Sequence, residues 1–132
     1  MASFLQFTLP GAPSIYYGDE AGMEGGKDPF NRRPYPWGKE DSTIREHYRQ
    51  LGQLRRQEAA LRAGKTEFRY ASGGLLHFTR EDKDSKLHIY VNRSDETWDI
   101  APDKVLFGGN ITHKCPGLLR LAPLGFCITK EK

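Results

Sequence analysis

Cysteine is scarce in this sequence: only Cys115 and Cys127 occur in 132 residues. Two thiols are too few for a disulfide framework at this length. They point to a reducing compartment, the cytoplasm, with both thiols buried as small apolar groups. Long apolar runs are also missing. No stretch approaches the ~18 uninterrupted apolar residues of a membrane-spanning helix, so no membrane partner is expected. The opening Met1–Phe7 has no basic flank, and Gln6 and Pro10 interrupt it, which argues against a secretory leader. Charge of one sign is in short supply too, with 20 Lys and Arg against 17 Asp and Glu leaving +3. The excess sits between residues 32 and 65, where nine basic residues face four acidic ones. There the arginines alternate with Glu along a helical pattern, so a solvated helix face is expected and no nucleic-acid partner. No internal repeat or low-complexity tract occurs. What remains suits a single ordinary core.

The order of elements follows from periodicity. Ser3–Leu9 is apolar with a β-compatible tail, and Ile15-Tyr16-Tyr17 reads as a short buried strand ending at Gly18. From Gly18 to Trp37 the composition turns to Gly, Pro, Asp, Asn and Arg without periodicity. A loop that long inside a domain is usually functional. Asp41 or Ser42 then caps a helix in which Ile44, Tyr48, Leu51 and Leu54 share one face and Arg45, Glu46, Arg49 and Arg56 point to solvent. Arg55, Arg56 and Arg62 suit the negative end of its dipole, and Gly64 stops it. The helix is predicted over 42–62, with a break near Glu58. From Thr66 the period switches to 2, most clearly where Leu87, Ile89 and Val91 alternate with His88, Tyr90 and Asn92. Further short strands at 67–71, 75–80, 98–100, 105–107, 118–121 and 126–129 are separated by turn chemistry, including Gly73-Gly74, Gly108-Gly109-Asn110 and Pro123-Leu124-Gly125. That spacing predicts an antiparallel sandwich or small barrel.

Weaker signals have plain alternatives. The run ending Gly26-Lys27 has Ala21 where a phosphate-binding loop needs its first Gly and Asp28 in place of Ser or Thr. His113, Cys115 and Cys127 match no common zinc spacing and lack a fourth ligand, so no metal is expected. Asn92-Arg93-Ser94 and Asn110-Ile111-Thr112 are glycosylation sequons by pattern only. Trp98, Tyr16 and Tyr17 read as core, whereas Phe30 and Trp37 lie on the loop, where a ring is placed to meet a ligand.

The stretch Gly11-Ala12-Pro13-Ser14-Ile15-Tyr16-Tyr17-Gly18-Asp19-Glu20-Ala21-Gly22-Met23, followed by Asp28-Pro29-Phe30-Asn31-Arg32 and Pro36-Trp37, resembles the eighth barrel strand and following loop of the α-amylase family of glycoside hydrolases. The neopullulanases, cyclomaltodextrinases and maltogenic amylases are nearest. Tyr48-Arg49, Leu54-Arg55 and Ala60-Leu61-Arg62 resemble that family's last barrel helix, and Asn92-Arg93-Ser94 with Leu124-Gly125-Phe126 its C-terminal sandwich. The resemblance covers nearly the whole chain, strongly before Trp37 and weakly after Gly64.

It implies an α+β chain: residues 1–64 as the last strand, substrate-side loop and helix of a TIM barrel remnant, and 65–132 as an antiparallel β-sandwich. It implies that Asp28 and Arg32 bind substrate, hydrogen-bonding a glucose unit beside the cleaved bond. A carboxylate and a five-donor guanidinium suit vicinal hydroxyls; the plain alternative is an ion pair stapling the loop. Phe30 and Trp37 are the sugar-stacking candidates. Asp19 and Glu20 do not supply the two carboxylates of glycoside hydrolysis, because adjacent strand residues point to opposite faces. The family's catalytic carboxylates lie upstream of the eighth strand, and no Asn-His-Asp triplet occurs, so no catalytic residue is assigned and the chain is expected to be inactive alone. The parent enzyme is expected to hydrolyse α-1,4 and α-1,6 glucosidic bonds of maltooligosaccharides, cyclodextrins or pullulan. No cofactor is expected in this chain, with calcium a candidate ion for the parent. The rival readings are a non-catalytic carbohydrate-binding module and a purely structural β-domain. Freed of neighbouring strands, the 4–17 segment is expected either to self-associate or to tuck against the helix.

Overall fold

A computed structural model describes residues 1–115 and 117–131. Helix α1 spans Ala2–Thr8, α2 spans Ser42–Gln57 and α3 spans Ala59–Ala63. Six strands follow: β1 Lys65–Ser72, β2 Leu75–Glu81, β3 Lys86–Asn92, β4 Trp98–Ile100, β5 Lys104–Cys115 and β6 Leu118–Lys130. They form one connected antiparallel sheet in the order β1-β2-β3-β6-β4, with β5 along β6.

The helix lies where its pattern put it. The Asp41 carboxylate accepts from the Thr43 and Ile44 amides at 2.9 and 3.0 Å, satisfying two of the donors that a helix start leaves open. Glu58, extended, breaks the rod into α2 and α3. Leu51, Leu54, Ala60 and Leu61 are buried from the helical side, and Phe78, Leu87, Ile89, Val91 and Ile128 from the sheet. A second, smaller core of Ile100, Leu119, Leu121 and Cys127 lies apart from it, with Tyr90, Trp98, Val105 and Ile111 packed against it. Period 2 explains the division: adjacent Cys127 and Ile128 go to different cores, as do Tyr90 and its neighbours Ile89 and Val91.

The first segment departs from expectation. Ser3–Thr8 is helical, with the Thr8 hydroxyl donating to the Phe4 carbonyl at 2.9 Å. The helix ends at Leu9, extended before Pro10, where the proline ring disfavours a further helical residue. Phe4 is fully buried, its ring 4.5 Å from that of Phe126. Thus Phe4–Thr8 is covered within the chain, against helix and sheet. Ile15-Tyr16-Tyr17, expected as a buried strand, belongs to no ladder and is exposed. An all-parallel barrel strand is built from neighbours on both sides, and no described segment pairs with this one.

Two turns predicted from composition prove to be one bend. Gly108-Gly109-Asn110 lies inside β5 and Pro123-Leu124-Gly125 inside β6, and the register shifts where they face each other. Gly109 is opposite Phe126, and a Cβ there would stand 2.7 Å from the Phe126 ring, so the absent side chain is what lets the ring lie across the hairpin. The Gly73-Gly74 turn between β1 and β2 does have left-handed backbone at both residues, as the tightest hairpins require.

Two arginines hold α1 to the body. Arg80, fully buried, donates to the Thr8 carbonyl at 2.8 Å and the Gly64 carbonyl at 3.2 Å. Arg55 is buried too and donates to the carbonyls of Phe7 at 2.5 Å and of Gly11, rather than resting on its own helix end. Burial, and then the positive charge of Arg55, lower the Arg80 pKa. Asn92 ties the β3–β4 connection to the bend in β6: its amide donates to the Glu96, Leu121 and Ala122 carbonyls, and its oxygen accepts from the Ser94 amide and hydroxyl. With that side chain buried and fully committed, the 92–94 sequon presents no acceptor. Of the two thiols expected to be buried, Cys127 is, with its pKa pushed up to about 12 by desolvation, whereas Cys115 is exposed, at the tip of the β5–β6 hairpin.

Candidate functional site

The segment from Gly18 to Asp41 stands out from the body as an aperiodic loop. Its root is fixed by backbone hydrogen bonds. Asp19–Ala21 makes one 3-10 turn, the Met23 amide donates to the Gly18 carbonyl at 2.9 Å, and the Asp41 amide donates to the Ala21 carbonyl at 3.0 Å. Asp41 therefore closes the loop with its backbone and starts α2 with its side chain. Glu20 turns back, its carboxylate accepting the Gly18 amide at 3.0 Å. Asp19 and Glu20 thus lie on a helical turn rather than on a strand, so the alternation of strand faces does not apply to them.

Farther out, residues 27–32 form consecutive tight turns, Phe30 amide to Lys27 carbonyl at 2.8 Å and Arg32 amide to Pro29 carbonyl at 3.0 Å. These turns bring Asp28 and Arg32 together: Nε stands 2.9 Å from Oδ1. Their side chains are 61% and 74% exposed, so the pair keeps most of its hydrogen-bonding capacity toward solvent. At that exposure it contributes little stability, about 0–1 kcal/mol. Phe30 is 69% exposed and Trp37 is 81% exposed. Trp37 does not pair with Phe30; its ring lies 4.6 Å from that of Tyr35. Apolar rings that far into water are stranded unless something covers them.

Sequence reasoning missed the supports of this arrangement. Tyr17, read as core, is exposed and its hydroxyl donates to the Arg33 carbonyl at 3.2 Å, while the Arg33 guanidinium donates to the Glu24 carbonyl. Tyr35 accompanies Trp37, and its phenol is raised by desolvation and then by the Glu20 and Glu40 carboxylates. Only the aromatic richness of the stretch could have pointed to these two tyrosines. A shallow polar depression of about 310 Å³, lined by Met23, Glu24, Arg33 and Lys39 among others, opens beside them.

Chemically the outer part of the loop presents the paired Asp28 carboxylate and Arg32 guanidinium, the exposed Glu24 and Arg33, and the exposed ring faces of Phe30 and Trp37. No His, Cys, Asp and Glu group able to hold a metal occurs among the described residues, and Cys115 and Cys127 lie far apart in the β5–β6 register.

No protein-family model matches the chain. Individual relatives do. Over 105 residues it is 46% identical to an amylopullulanase of Thermoanaerobacter thermohydrosulfuricus, covering 80% of this chain and 7% of that protein. It is 40% identical over 99 residues to a cyclomaltodextrinase of Geobacillus thermopakistaniensis, covering 72% and 17%. The crystal structure of a debranching enzyme from Nostoc punctiforme superposes with a TM-score of 0.82 at 34% identity, covering 98% of this chain and 30% of that one. The chain therefore spans less than a third of each of these proteins, and its antiparallel sheet with few helices matches a C-terminal β-domain of that kind.

Proposed function

From the premise that the chain belongs with the C-terminal part of the α-amylase family of glycoside hydrolases, we propose that it serves an enzyme hydrolysing α-glucosidic bonds of maltooligosaccharides, pullulan or cyclodextrins. In this reading residues 1–64 are the last strand, loop and helix of a TIM barrel, residues 65–132 a sandwich-type β-domain, and the parent is cytoplasmic. The unpaired, exposed Ile15-Tyr16-Tyr17 supports the barrel assignment, because neighbouring strands would cover it. Loop 18–41 is the rim of the cleft. Asp28 accepts and Arg32 donates hydrogen bonds to adjacent hydroxyls of one glucose unit, and Phe30 and Trp37 lie against ring faces.

The observation that carries this reading is the exposed Asp28–Arg32 pair on the same loop as the solvent-facing rings of Phe30 and Trp37. The reacting carboxylates are supplied by other parts of the enzyme, and this chain positions substrate without cleaving it. Two measurements test the reading. Titrating the isotope-labelled chain with maltotriose should shift the amides of residues 27–37, and Asp28→Ala should abolish those shifts. Release of glucose or maltose by the purified chain, freed of contaminating amylase, would overturn the division of labour.

A further inference from the structure

The face of the sheet that carries Tyr90 holds a row of rings that sugar contact at loop 18–41 does not use. Tyr70 of β1, His77 of β2 and Tyr90 of β3 are cross-strand neighbours in register. The His77 ring stacks on that of Tyr90 at 4.2 Å and 15°. Trp98 of β4 comes over the row, 5.5 Å from Tyr90 and 6.2 Å from Tyr70, its plane tilted 42° from that of Tyr70. Tyr90 and Trp98 have their inner sides against the second core, but Tyr70 is 47% exposed. A core ring would be covered; this one lies open beside a half-buried indole.

The two imidazoles of the strip are paired with each other. His77 Nε2 and His88 Nδ1 are 3.0 Å apart and share one hydrogen bond. Burial, and then the neighbouring His88 and Arg69, lower the His77 pKa to about 4, which leaves this imidazole uncharged at neutral pH. Glu67 pairs with Arg69 at 2.8 Å and Lys86 with Glu131 at 3.3 Å, so these flanking charges compensate one another. Tilted ring faces flanked by uncharged donors and acceptors suit a neutral polyol: the C–H face of a pyranose packs on a ring while its hydroxyls exchange hydrogen bonds with imidazole and phenol.

We propose that Tyr70 and Trp98, with His77 and His88 at their margin, form a second glucan-binding surface, separate from loop 18–41. The tilt between the two rings fits a curved α-linked chain, each ring taking one sugar unit. Only the choice of α-linked glucose rests on the function proposed above; the surface itself stands independently of the loop.

The test uses the full 132-residue chain, isotope-labelled and titrated with maltoheptaose. The expected result is movement of the amides of residues 69–71, 77 and 98 and of the Trp98 indole, with Tyr70→Ala weakening that binding about threefold to tenfold, the range of one ring contact. Tyr70 is exposed, so circular dichroism of the variant should match that of the original chain, and Tyr70→Phe should retain binding. Shifts confined to residues 27–37 overturn the second surface and leave the loop assignment standing. Shifts confined to the strip support it and remove the loop assignment. A strip that stays still at saturating maltoheptaose, or a Tyr70→Ala chain that binds at the strip unchanged, also overturns it.

Discussion

The body and the loop of this chain are held by different physics. In the body, Phe4, Leu51, Leu61, Phe78, Leu87, Ile89 and Ile128 are almost completely removed from water, and even arginines are drawn inside to satisfy carbonyls. In the loop nearly every residue between Glu24 and Pro34 is exposed, and order comes from turns, backbone hydrogen bonds and one ion pair. Burial makes the scaffold, and the loop is left free to present rings and charges that would be wasted inside it. The contrast predicts that damage to the body appears as lost stability and damage to the loop as lost binding.

The strongest way to break the contrast is in the body. Leu51→Ala, at a site 1% exposed, should cost about 2–5 kcal/mol in urea denaturation. A cost below about 1 kcal/mol would mean that the helix–sheet core is not the main source of stability. Arg80→Met should cost about 2–4 kcal/mol, because it takes the Arg80 donor from the buried Thr8 carbonyl and from the part-buried Gly64 carbonyl. Gly109→Ala should cost about 1–3 kcal/mol by pushing a methyl group into the Phe126 ring 2.7 Å away.

A gentler probe uses pH. An unfolded His titrates near pH 6.5, whereas His77 in the fold is lowered to about 4 by burial and by the charges of His88 and Arg69. The unfolded state therefore takes up the proton first, and the stability present above pH ~6.5 is lost as the pH falls toward 4. His77→Gln should flatten the fall of Tm over that window relative to the original chain. Equal slopes would show that His77 does not carry it. The smallest stability effect belongs to the loop: Asp28→Asn should change unfolding free energy by no more than about 0.5 kcal/mol. Its sugar-induced amide shifts should vanish all the same, and a large stability loss would show the ion pair to be a structural staple.

Much of the body was legible in the sequence. Asp41, the spacing of Tyr48, Leu51 and Leu54, and the break at Glu58 all declared α2 and α3 because each is a local signal. The alternation of residues 87–91 did the same for β3. What escaped depended on distant partners. Gly108–Asn110 and Pro123–Gly125 each look like a turn in isolation, and only their pairing makes them one bend. The seven residues Ala2–Thr8, with Phe4, Leu5 and Phe7 set among small or polar ones, have no decided preference, so packing of Phe4 and Phe7 on α2 and the sheet settled α1 as helix. Nothing marked Arg55 and Arg80 as buried, since the carbonyls they hold lie more than forty residues away for the one and on both sides of α2 for the other. At the loop, composition announced a candidate site, and the resemblance selected Asp28 and Arg32, which the turns bring into contact. The supporting Tyr17 and Tyr35 act through contacts across the loop, with Arg33 and Trp37, that composition does not carry.

Asp41 gives the scaffold a clamp that isolates its most changeable part. Because one residue both latches the chain back to Ala21 and sets the first turn of α2, the stretch between those two points can vary in length or composition without disturbing where the rod begins. Loops of other sizes grafted between Met23 and Glu40 should be accepted by the same frame, so that a change of specificity need not entail a change of architecture.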